Sequence, residues 1–223
     1  LLMVQRLAEM AECPIEFPPQ SVIRRSGKPA PSGILLSLDA LVYGGLVGSR
    51  YPNVTSRVAE KCLGEISKLH KRYPRTPIWV LATVLRSYPE NGPWSRASTR
   101  KRNLSVLIEA IQMVQRGIIE NLLIGVEDSR PGSVAERERA KLFKIIRRAK
   151  LEKRVFVVDG ADELGQMMLA RWVCNQSRTR VQFAPHFSKP GLSRRIPRYE
   201  SRSLHENVKS HARVLFDLPA TPA

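Results

Sequence analysis

The chain has 223 residues, 43% of them hydrophobic, which is enough to bury a sizeable core within one domain. Its 37 Lys and Arg against 20 Asp and Glu give a formal charge of +17, a balance that attracts polyanions. Three widely separated cysteines (Cys13, Cys62, Cys174) suggest neither a disulfide framework nor a zinc site, and no apolar run approaches the ~18 residues a membrane helix needs.

The first residues, LLMVQRLAEMAEC, read as a helix without a start or a cap, and they lack the charged-then-apolar order of a signal peptide. The expectation is a single cytoplasmic α/β domain over 1–223, incomplete at both termini and part of a longer protein.

Five short apolar runs then predict buried strands: GILLSL (33–38), IWVLATVL (78–85), NLLIGV (121–126), RVFVVD (154–159) and RVQFA (180–184). Helical patterns fall between them. Val54, Val58, Cys62, Ile66 and Leu69 make one stripe over 54–72, and NLSVLIEAIQMVQRG (103–117) ends on Gly117 as a C-cap. Ser133, three residues before Glu136, opens 133–150 as a capping box. A further helix is expected over 162–175 and a terminal one near 203–216. This alternation predicts a parallel sheet covered by helices, either a partial (β/α) barrel or an open doubly wound sheet.

In both arrangements ligands meet the carboxyl ends of the strands. Asp39 follows the first strand, then Tyr43, Gly44, Gly45 and Arg50; Arg86 follows the second; Glu127 and Asp128 the third; Asp162 and Glu163 the fourth, just past Asp159; His186 the fifth. Acids thus gather behind three of the predicted strands in a chain short of acid.

Each residue also has a plain structural role open to it. Asp162 suits a helix N-cap, and Glu127 and Asp128 suit a loop. Asp39, a charge costly to leave unpaired behind a buried strand, suits a salt bridge with Arg50 or Arg86. His186 suits a surface loop. Dinucleotide, P-loop and serine-elbow fingerprints are missing, which leaves carboxylate chemistry.

Four motifs in order, SLDALVYGGLVGSR, GVEDSRPGSVAERER, DGADELGQMMLARW and RRIPRYESRSLHENVKSH, resemble the bacterial Domain of Unknown Function family 4127 over residues 5–212. Asp39, Tyr43, Gly44, Gly45, Ser49 and Arg50 match its first motif, and Asp128, Pro131, Glu136 and Arg137 match its second, in which Glu127 stands for an aspartate. Gly160, Ala161, Asp162, Glu163 and Gly165 match its third, with Asp159 in place of a proline. The resemblance implies a fold rather than a reaction.

Function is therefore argued from the residues. The leading expectation is a hydrolase acting on a small, carbohydrate-like substrate without a cofactor. Asp128 would serve as acid with Glu127 as its electrostatic partner and Asp39 beside them; Asp39 and Glu163 would grip hydroxyls, and Arg50 or Arg86 an anionic substituent. Tyr43, Gly44, Gly45 and Asp162 complete the expected substrate contacts. One alternative is a hydrolase dependent on magnesium or manganese bound by rim carboxylates. The other is a non-catalytic module that binds nucleic acid or another polyanion through its basic surface, for which the runs at 137–154 and 193–202 are the densest. Oligomeric state is not legible, and no membrane contact is expected.

Overall fold

The computed structural model describes residues 30–177, 184–198 and 200–216; the expected N-terminal helix, Cys13 and all but the last residue of the expected fifth strand lie outside them. Among the described residues four strands form, β1 (Ile34–Ser37), β2 (Ile78–Val84), β3 (Asn121–Val126) and β4 (Val155–Asp159), all parallel and in the order β1-β2-β3-β4. Between and after them run α1 (Leu38–Tyr43), α2 (Leu46–Ser49), α3 (Ser56–Arg72), α4 (Ala97–Gln115), α5 (Val134–Arg148), α6 (Leu164–Ser177) and α7 (Leu204–Phe216). The fold is α/β, a parallel sheet covered by helices.

Side chains alternate across the sheet and build two cores. On one face Val80, Ala82, Val84, Leu122, Ile124, Val126, Val155 and Val157 pack with Leu63 and Ile66 of α3, Ala110 and Val114 of α4, and Leu142 and Ile146 of α5. On the other, Trp79, Leu123 and Val158 meet Leu164, Met167 and Met168 of α6 and Val214 of α7, with the rings of Trp79 and Trp172 edge to face at 5.3 Å. Burying each of the larger aliphatic side chains stabilises the fold by about 1.5–3 kcal/mol. The consecutive strand order is that of a barrel segment, whereas the two helical layers are those of an open sheet. Among the described residues no helix is long and apolar enough to cross a membrane.

Several boundaries differ from expectation for local reasons. The first strand stops at Ser37 rather than Leu38, because the Ser37 hydroxyl accepts the Ala40 N–H and starts α1. In α3 the buried stripe is Ala59, Leu63, Ile66 and Leu69, while Val58 turns outward at 47% exposure. Helix α4 begins six residues before the expected Asn103, since its first turns bury Arg100 and Arg102, which apolar periodicity does not register.

Two caps form largely as expected. Gly117, at φ 76°, closes α4 with paired bonds from its own N–H to Val114 and from Ile118 to Met113. Ser133 caps α5 through the Glu136 N–H, but the Glu136 carboxylate returns to the Gly132 N–H, one residue earlier than in a reciprocal capping box.

Candidate functional site

Parallel register carries the ends of β1, β2, β3 and β4 to one edge of the sheet. Ser37 pairs with Leu81, Val84 with Val126, and Val126 with Asp159. Asp39 lies there in the first turn of α1, not on an open loop, and is only 5% exposed. Neither expected arginine pairs with it. The Thr83 hydroxyl donates to Asp39 Oδ2 at 2.7 Å instead. Burial pushes the Asp39 carboxyl up to about 7; the Thr83 bond opposes this and the nearby charge of Glu127 adds to it.

Arg50 and Arg86 converge on the acids that follow β3. Arg50 donates to Glu127 Oε1, Arg86 Nη1 lies 3.7 Å from the same oxygen, and Arg86 Nη2 pairs with Asp128. Glu127 Oε2 is buried with no hydrogen-bond partner. Burial raises the Glu127 carboxyl, the two arginines work to lower it, and the charges of Asp128 and Asp162 push it up again. These acids are therefore not plain loop residues. Asp128 itself is held at φ 42°, a left-handed conformation uncommon outside glycine.

A buried arginine builds the approach to this cluster. Arg102 donates to the carbonyls of Ser49 at 2.7 Å and of Tyr51 and Val54 at 2.9 Å, fixing the segment that presents Arg50. Its guanidinium also lies 4.6 Å from the centre of the Tyr43 ring, so Tyr43 is part of this support, with its hydroxyl pushed up to about 12 by burial. Gly44 (φ 78°) and Gly45 (φ 136°) turn the chain between α1 and α2; a Cβ at either would meet nothing within 4 Å, so the requirement is one of backbone conformation.

A second polar centre stands at the end of β4. Asp159 is 1% exposed and shares its alternation with Val155 and Val157. Its carboxylate takes Arg139 Nη1 at 2.6 Å, Arg202 Nε at 2.7 Å and the Ser129 hydroxyl at 3.2 Å. Glu163 bonds His211 of α7 at 3.2 Å, and that bond is the main reason its carboxyl lies below the usual range. Helix α6 starts at Leu164, so Asp162 stands one residue too early to be its N-cap and is exposed.

The rim thus holds Asp39, Glu127 and Asp128 with Arg50 and Arg86, close enough to Asp162 for its charge to act on Glu127, while Glu163 is drawn toward α7. Sequence reasoning missed Thr83, Arg102, Arg139, Ser129, Arg202 and His211. Thr83 stands near the end of a predicted strand, and Ser129, Arg139, Arg202 and His211 fall within the second and fourth sequence motifs, whereas Arg102 carries neither signal. His186 is exposed. Among the described residues no group of three or more His, Cys, Asp or Glu stands together as a set able to hold a metal.

Neither a curated protein nor a solved structure matches the chain. The family described as protein of unknown function (DUF4127) matches residues 23–96 and 89–215, the segments that supply every residue of the rim. The chain therefore belongs to the DUF4127 family.

Proposed function

We propose that the chain is a hydrolase whose acid–base chemistry centres on Asp39 and Glu127, acting on a hydroxyl-rich, carbohydrate-like substrate. The observation that supports this reading is the contrast between the two carboxyls. Asp39, buried against Thr83, carries a proton close to neutral pH, whereas Glu127 is gripped by two arginines through one oxygen and leaves the other without a partner. Carboxyls in unlike environments divide acid and base roles at a single pH.

In this scheme Asp39 supplies the proton and Glu127 Oε2 accepts one from water or a substrate hydroxyl. Asp128, tied to Arg86, is a positioning residue rather than the acid. A cytoplasmic setting belongs to the same proposal, supported by the unbridged thiol of Cys62.

The test is a hydrolysis screen over aryl glycosides and glycosyl amides, followed by Asp39→Asn and Glu127→Gln on any substrate turned over. Each substitution is expected to cost about 10²-fold or more in kcat. Full turnover by Glu127→Gln would remove the assignment.

A further inference from the structure

Helix α7 is docked on α6 and β4 through contacts that include one titratable ring. His211 Nδ1 lies 2.7 Å from the Asn207 carbonyl oxygen and Nε2 lies 3.2 Å from Glu163 Oε1. Both partners accept and neither donates, because a backbone carbonyl has no proton and Glu163 is held ionised below the usual carboxyl range. A neutral imidazole has one N–H and satisfies only one of them. The geometry therefore asks for imidazolium.

We propose that His211 and Glu163 form a pH-sensitive clasp that fastens α7 to the loop after β4, closed when the ring is doubly protonated and opened when it loses a proton. The loop is a suitable anchor. Gly160 adopts φ 101°, and a Cβ there would run into the Glu163 carboxylate, so the chain brings Glu163 close against its own backbone.

Among the described residues the charged groups that act on the ring are few. Glu163 faces it from the β4–α6 loop. Arg202, on the segment before α7, disfavours its charge but is itself bound to Asp159 of β4, and Glu200 feels the ring's charge in turn. Burial is the largest single influence and works against the charged ring, yet the bonds to Glu163 and Asn207 and the charge of Glu163 together outweigh burial and Arg202 and raise the ring above its ordinary 6.5. A group raised in this way contributes stability that is complete below the unfolded value and is lost as pH climbs through the folded one. At low pH the clasp also fails, once Glu163 is protonated. Other fixings, among them the buried bond from Arg171 to the Val214 carbonyl, keep α7 from leaving altogether.

The experiment follows the His211 ring by NMR between pH 5 and 9, together with amide hydrogen exchange across 204–214 corrected for intrinsic rates. In the unsubstituted protein the ring is expected to titrate above 6.5, and opening of α7 to rise about tenfold for each unit of that shift as the ring deprotonates. In Glu163→Gln the ring is expected to fall back toward its ordinary value and the pH dependence of α7 to flatten. A ring that titrates at or below 6.5 in the unsubstituted protein, or α7 protection indifferent to its titration, would overturn the proposal.

Discussion

Thr83 of β2 and Asp39 in the first turn of α1 meet at the sheet's carboxyl edge, the hydroxyl donating to the carboxyl at 2.7 Å while both residues are at most 5% exposed. Thr83 shares its alternation on β2 with Trp79 and Leu81 and so faces α6 and α7 rather than the larger core. Thr83→Val keeps the shape and removes the donor. Since the bond stabilises the ionised carboxyl, its loss is expected to lift Asp39 further above 7 and to destabilise the fold by about 1–2 kcal/mol, more at pH 9 than at pH 6. Urea denaturation at the two pH values measures this, and Thr83→Ser should recover most of the difference.

Asp39 predicts a second pH effect of definite sign. In the unfolded chain it ionises near 3.8, in the folded one near 7, so the folded state binds more protons between those values. The stability it contributes is complete below about pH 4 and is lost as pH rises through 7. Asp39→Asn never ionises. Relative to the unsubstituted protein it is expected to gain stability from pH 4 to pH 8, up to about 4 kcal/mol at the upper end, while losing the proposed hydrolysis. A variant no more stable at pH 8 than at pH 4, relative to the parent, would show that Asp39 is not a buried acid of this kind.

How far the sequence discloses this arrangement depends on the separation of the partners. The strands are legible because each is a short apolar run, β3 being buried on both faces and matching its expected limits residue for residue while the edge strand β1 is only half-buried. The acids at the strand ends are legible because parallel order sends every strand's carboxyl end to one edge. Their partners are not. Arg50 reaches Glu127 across 77 positions and Arg202 reaches Asp159 across 43, distances that only the sheet closes. Thr83 is the intermediate case: β1 ends with Ser37 opposite Leu81 and Asp39 follows two residues later in α1, so a known register would have brought Asp39 into the neighbourhood of Thr83. Arg100, Arg102 and Arg139 count toward a charge of +17 but are buried among acceptors, so they add less to a polyanion-binding surface than the total suggests.

Asp159 should be among the least replaceable side chains in the fold. Asp159→Asn leaves Arg139 and Arg202 facing an uncharged amide, and breaking a buried pair from one side costs about 3–5 kcal/mol. The loss should appear in thermal denaturation, with early exposure of the segment from Ser201 to α7 by limited proteolysis, because Arg202 and Ser201 both fasten there. Asp162→Asn, which alters an exposed carboxylate two residues before α6, should change stability by no more than about 0.5 kcal/mol.

Arg102→Lys tests whether the approach to Glu127 is built by one buried guanidinium. A lysine carries its donors on a single atom and cannot span carbonyls contributed by Ser49, Tyr51 and Val54, so at least one buried acceptor is left unmet, and the stacking on Tyr43 is lost with it. The expected cost is about 2–4 kcal/mol. Hydrogen exchange should quicken within 49–55 while β3 stays protected, and any hydrolysis dependent on Glu127 should fall because Arg50 is no longer held in place. A substitution costing under about 0.5 kcal/mol, with exchange in that segment unchanged, would mean the segment is fixed by its own backbone and Arg102 merely fills space beneath it.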